Sequence, residues 1–294
     1  MAALLTVALD LQAHARVERL GGVNVWGYRG PVMTVRRPNE IRLASVGGDT
    51  AFGWGVAASE TYIAAVRQLV ALALDRPGGA ARYVTAVNLG ATALHPSQYA
   101  GWIERYGYLH PDVVCIVVDP RRHHSGGAAM QPDRASTAFT WFGYAPVLAL
   151  VLEEKGGLSR SAFLGAIGST MAHVDHAMAR AAGTTAAVAD DEPSTERYVE
   201  SIGTAMDVAV NHGAAVIVVA PPYPAGDAGA DHAALAAMVE AKPRGTRVTF
   251  VDLGDVTALY EPDVWLGESV LSVGGHAVVG AALAPAVLHL IAAR

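Results

Sequence analysis

Hydrophobic positions follow two alternating patterns along the 294 residues. Short continuous runs at 41–46, 83–89, 113–118, 215–220 and 248–253 are rich in Val and Ile and bounded by Gly, Pro or Asp. Apolar runs of that length without polar alternation predict strands buried on both faces, as in a parallel sheet. Between them, stretches 59–74, 96–106, 159–182 and 194–212 carry apolar residues three and four apart, as at Ile63, Val66, Leu69, Val70 and Ala73. That spacing predicts helices. Strand and helix alternating over the whole length predict an α/β fold: a three-layer α/β/α sandwich around a central parallel sheet, flavodoxin-like, with right-handed crossovers. Segments 121–136 and 182–194 read as loops.

Composition agrees with a large core. Hydrophobic residues make up 52% and charged residues 16%, which excludes a disordered chain. With 21 basic and 27 acidic residues the net charge is −6, and no basic stripe marks a nucleic-acid partner. Cys115 is the only cysteine, so a disulfide framework and a cysteine zinc cluster are excluded. Lys155 and Lys242 are the only lysines, a skew typical of a GC-rich, actinomycete-like genome. Length alone allows two domains; the even alternation favours one domain over 1–294, with a lead-in at 1–40 and a helical insertion at about 135–190. The apolar patch at 2–9 lacks a basic lead and is interrupted by Asp10 and His14, unlike a secretory signal. The run at 138–152 falls short of the roughly 20 residues that cross a bilayer. A cytoplasmic protein with no membrane partner and no cofactor is the expectation.

In open parallel sheets ligands bind beyond the carboxyl ends of the strands. Reading there in order gives Gly47-Gly48-Asp49-Thr50-Ala51-Phe52-Gly53-Trp54-Gly55-Val56, then Asn88-Leu89-Gly90, then Asp119-Pro120-Arg121-Arg122-His123-His124, then Pro221-Pro222-Tyr223. Near the end, Leu271-Ser272-Val273-Gly274-Gly275-His276 opens a last helix.

This ordered set resembles the SGNH/GDSL hydrolase family nearly end to end. Gly48-Asp49-Thr50 with Phe52-Gly53-Trp54-Gly55 is similar to the first block, Asn88-Leu89-Gly90 to the second, 104–114 to the approach to the third, and 271–276 to the closing helix. Tyr28-Arg29-Gly30-Pro31 looks like a lead-in found in one bacterial branch. The resemblance implies the positions of the family's machinery and shows most of it replaced. The serine nucleophile falls on Thr50, the second-block glycine is kept as Gly90, the third-block asparagine falls on or beside Arg121, and the histidine falls on Val270 with Gly267 in place of its aspartate. The chain therefore resembles a degenerate member without the usual Ser, Asn and His.

Each candidate carries two readings. Thr50 is a nucleophile or ligand donor, or else a helix N-cap; Asp49 is a ligand contact or a cap. Asp119 with Arg121 and Arg122 forms an acid/base and clamp, or a structural ion pair. An arginine in the place of asparagine would still stabilise an oxyanion. His276 is a displaced base or a buried structural residue. Asn88, Gly90 and Trp54 line the ligand, and Trp54, Tyr83, Trp141 and Tyr223 are pocket aromatics or core. His173 and His176 make a poor metal pair without a third ligand. A hydroxyl without a base is a weak nucleophile. The leading expectation is non-hydrolytic acid/base chemistry (cyclisation, elimination or acyl transfer) on a small apolar, polyketide-like metabolite in secondary metabolism. A weak esterase or acyltransferase using Thr50, and an inactive ligand-binding pseudohydrolase, are the alternatives.

Overall fold

The computed structural model describes residues 2–19, 22–75, 83–92, 94–119, 141, 143–144, 147–148, 194–222, 229–266 and 270–293. The chain divides into two compact units, one of residues 1–27 with 127–192 and one of residues 28–126 with 193–294.

In the first unit, α1 (Ala2–Arg19) buries Asp10 and His14 and exposes Leu5, Val7, Leu9 and Leu11. Asp10 is held by the amides of Val147 (2.9 Å) and Leu148 (2.6 Å) and by the Tyr144 hydroxyl. The two polar residues that break the apolar N-terminal run thus form the packed side of the helix. Losing water, and then donating to Asp10, raise the Tyr144 phenol above its ordinary range. The expected helix at 159–182 and the loops at 121–136 and 182–193 lie outside the described residues.

The second unit holds the sheet. Among the described residues five strands, β1 (Glu40–Val46), β2 (Tyr83–Asn88), β3 (Val113–Val117), β4 (Ala215–Ala220) and β5 (Val248–Asp252), pair in parallel in the order β2-β1-β3-β4-β5. The central strands β1, β3 and β4 are buried at every residue, whereas β5 at the edge is half-buried. Continuous apolar sequence is the consequence of being covered on both faces.

On one face lie α3 (Tyr62–Leu74) and the C-terminal α7 (Val273–Ala292), packed against each other and on the sheet. Their Ile63, Val66, Val70, Val279, Leu283 and Val287 meet the strand residues Leu43, Cys115, Val117, Ile217 and Val219 in one core. The other face carries α4 (Tyr99–Arg105), α5 (Thr195–Asn211) and α6 (Gly229–Glu240). This is the three-layer α/β/α arrangement expected from the pattern of hydrophobic positions. By length and composition α7 is apolar enough to cross a membrane. Its buried residues recur three and four apart against α3, which makes it a core helix.

Two helices start later than the periodicity predicts. A 3-10 turn at Ala58–Glu60 and an extended Thr61 precede α3, and a 3-10 turn at Pro96–Gln98 precedes α4. Local side-chain bonds account for both: the Glu60 carboxylate accepts from Ala57 N (2.8 Å), and His95 Nδ1 accepts from Ser97 N (3.3 Å). Such bonds satisfy the first donors without a full α-turn.

Candidate functional site

The chain leaves β1 to build β2 on one side and returns to build β3 on the other. In a parallel sheet of this order the crevice opens at the carboxyl ends of those two strands. Residues 47–56 follow β1 there, and Asp119 follows β3.

The short α2 (Asp49–Phe52) starts at Gly48, which is its N-cap and offers no side chain. Asp119 supplies what a capping side chain would. Its Oδ2 accepts from Gly48 N at 2.5 Å and from the Tyr99 hydroxyl at 2.8 Å, and its Oδ1 takes a longer contact from Thr50 N at 3.4 Å. Its own carbonyl accepts from the Tyr198 hydroxyl at 2.8 Å. Asp119, Thr50 and Asp49 are all buried, at 2%, 1% and 9% exposure. Thr50 therefore sits inside α2, with the Asp119 carboxylate on its backbone amide.

The far end of α2 is held from β2. Asn88 donates from Nδ2 to Ala51 O (2.7 Å) and Phe52 O (3.1 Å), and its Oδ1 accepts from Gly90 N (2.8 Å). A Cβ on Gly90 would lie 2.5 Å from Phe52 N, so only glycine lets the two loops touch. The Asn88 side chain, expected to face a ligand with Gly90, instead bonds the Gly90 amide and the carbonyls of α2.

His276 is placed differently from Thr50. It lies in the first turn of α7, which Ser272 caps by accepting from Gly275 N at 3.1 Å. The fully buried imidazole accepts from Tyr62 N through Nδ1 (3.2 Å) and stacks on the Tyr62 ring. That bond leaves the proton of the neutral ring on Nε2, which has no partner and faces Gly53. Burial, and then the nearby Arg29 cation, lower its pKa to about 4. His276 hydrogen-bonds neither Thr50 nor Asp119. Val270, where the resemblance puts a histidine, is half-buried and uses its carbonyl to bind Leu266 N (2.7 Å). Arg121, Arg122, His123, His124, Tyr223, Gly267, His173 and His176 lie outside the described residues. Trp141 and Tyr83 are exposed, at 61% and 48%.

Arg29, Tyr99, Tyr62 and Tyr198 complete the site and were not singled out from the sequence. Arg29 was visible only as part of a glycine-flanked lead-in, although an arginine between two apolar runs invites the question of what pairs with it. Among the described residues no group of three His, Cys, Asp or Glu side chains is placed to hold a metal ion. What this arrangement does chemically is occupy donors: the amides of Gly48, Thr50 and Gly90 already have acceptors.

No protein-family model and no curated protein matches the chain. Among solved structures it is similar to a putative lipolytic protein of the G-D-S-L family from Desulfitobacterium hafniense, with a TM-score of 0.44 and 11% identity over 83% of this chain and 98% of that one. It is also similar to a carbohydrate esterase family 3 protein from Talaromyces cellulolyticus (TM-score 0.44, 11% identity, 86% and 99% covered). A catalytic mutant of an acetylxylan esterase from Geobacillus stearothermophilus is a third (TM-score 0.45, 16% identity, 85% and 94% covered).

Proposed function

We propose that this chain is an SGNH-hydrolase-like protein that has given up ester hydrolysis and binds a small, uncharged apolar metabolite at the β1/β3 crevice. One observation carries the reading: the Asp119 carboxylate lies on the amides of Gly48 and Thr50. Acyl transfer needs free donors where negative charge develops on the substrate oxygen. Here the Asp119 carboxylate takes two such donors, and a third, Gly90 N, is bonded to Asn88 Oδ1. The ring of His276, the displaced base expected for this site, is committed to Tyr62.

A second reading keeps chemistry at the same place. Tyr99 and Asp119, joined by a 2.8 Å hydrogen bond at the strand end, form a proton-sharing pair suited to acid/base catalysis without an acyl intermediate. Cyclisation or elimination on a small apolar substrate in secondary metabolism belongs to that reading, which needs the pair to reach the ligand. Asp119→Asn would abolish turnover under it and leave binding in place. A cytoplasmic location is part of both proposals and is tested by cell fractionation.

The deciding experiment is simple. The wild type is expected to leave p-nitrophenyl acetate unhydrolysed above the buffer rate and to resist a fluorophosphonate probe, with Thr50→Ala indistinguishable in both assays. Brisk turnover that disappears in Thr50→Ala would overturn the proposal and make Thr50 the nucleophile of an esterase.

A further inference from the structure

Arg29 is fully buried, and among the described residues no carboxylate pairs with it. Its guanidinium is spent on backbone. Nη1 donates to Phe52 O and to Gly53 O (2.6 Å), and Nη2 donates to Val56 O. The main chain of Arg29 is fixed as well, by a two-way bridge to Asn88 at 2.9 Å in each direction. Loss of water lowers the guanidinium pKa to about 10, with Glu60 opposing. Burying a cation with carbonyl partners alone is costly, and a neutral core side chain would fill the same space more cheaply.

The same turn has an unusual outer surface. Gly53 and Gly55 both adopt left-handed backbone, φ 74° and 81°, and between them Trp54 is pushed outward to 40% exposure. The Phe52 ring lies between the two ends of the arrangement: the Arg29 Cζ sits 4.7 Å from its centroid, and the Trp54 ring stacks on it at 6.2 Å and 22°. Cation, ring and exposed ring form one stack. Its inner end is locked by three carbonyls of residues 52–56.

We propose that Arg29 is the positioning residue of the site: it sets the turn at residues 52–56 and thereby holds Trp54 out as a rigid, pre-organised aromatic contact for the ligand. This rests on the reading that the turn after β1 lines the binding crevice. Three carbonyls that diverge around a planar fork suit a guanidinium and not an ammonium, whose single nitrogen cannot reach all three. Pre-organising an aromatic side chain reduces the ordering cost of binding, which is where a costly buried cation yields a benefit.

The test uses Trp54 as its own reporter. Subtracting the fluorescence of the matching Trp54→Phe protein isolates Trp54 from the other four of the five tryptophans. Arg29→Ala and Arg29→Lys are expected to keep the wild-type far-UV circular dichroism while acrylamide quenching of Trp54 rises at least about twofold, as a locally loosened turn requires. Millimolar ethylguanidinium should restore wild-type quenching in Arg29→Ala, where it refills the space, and leave Arg29→Lys unchanged. Unaltered Trp54 quenching in folded Arg29→Lys overturns the proposal even if Arg29→Ala does not fold. So does a parallel rise in the other four tryptophans, which would make Arg29 a general core residue. Ester turnover by the wild type would instead sink the non-hydrolytic reading and leave the Trp54 result standing.

Discussion

His276 shows how one buried side chain ties stability to pH. Its folded pKa of about 4 lies below the ordinary 6.5, so the folded chain keeps the ring neutral where the unfolded chain already takes up a proton. The contribution is complete above pH 6.5, declines as pH falls from there towards 4, and changes no further below that. The shift corresponds to about 3 kcal/mol. Urea midpoints should therefore fall between pH 7 and pH 4.5 in the wild type, with a shallower fall in His276→Gln. An equal pH slope in both proteins would remove His276 as the cause. At this scale the sequence was partly legible. Gly90 and Asp119 stood out because they follow strands, but nothing in a run of residue types says which way a side chain turns. Asn88 turned inward to α2, His276 turned to Tyr62, and Arg29 had no visible partner because its partners are carbonyls, which every residue carries.

The pairing of α3 with α7 makes an argument about elements. Their axes come close at Gly280, where an added Cβ would lie 2.5 Å from Ala65 Cβ and 3.0 Å from Tyr62 O. Gly280→Val is expected to cost at least about 2 kcal/mol, read as a lower denaturant midpoint, because overpacking must push the two helices apart. Gly274 is the control on the same helix. It is exposed, and its nearest neighbour to an added Cβ is Ser272 Oγ at 3.6 Å, so Gly274→Ala should be neutral or mildly stabilising. Equal losses in the two variants would show that the close approach at Gly280 is not the cause. Elements were the most legible level. The strands lie within a residue of their Val- and Ile-rich runs because the central ones are covered on both faces. The starts of α3 and α4 were misplaced because the short turns at Ala58–Glu60 and Pro96–Gln98 come first, and their signal lies in side-chain bonds to the backbone, which a three-and-four periodicity does not contain.

For the whole molecule, sheet order decides where the crevice is; the alternation of runs had predicted only the parallel sheet. What it left open was how the crevice is filled, since that depends on Asp119 meeting a loop some 70 residues earlier in the chain. The same order sets the route by which the chain must fold. β1 and β2 are partners separated by residues 47–82, whereas β3 and β4 are partners separated by residues 118–214. Closing the longer connection as free chain costs about 1 kcal/mol more, roughly a fivefold lower chance of encounter. Parallel neighbours this distant in sequence gain nothing until they meet. Pulse-labelled hydrogen exchange during refolding should accordingly find the amides of β1 and β2 protected before those of β4, and simultaneous protection would contradict it. Until β4 arrives, β3 presents Val113–Val117 as an open apolar edge, so the molecule's most buried strands are also the stretch on which its intermediates are most prone to aggregate.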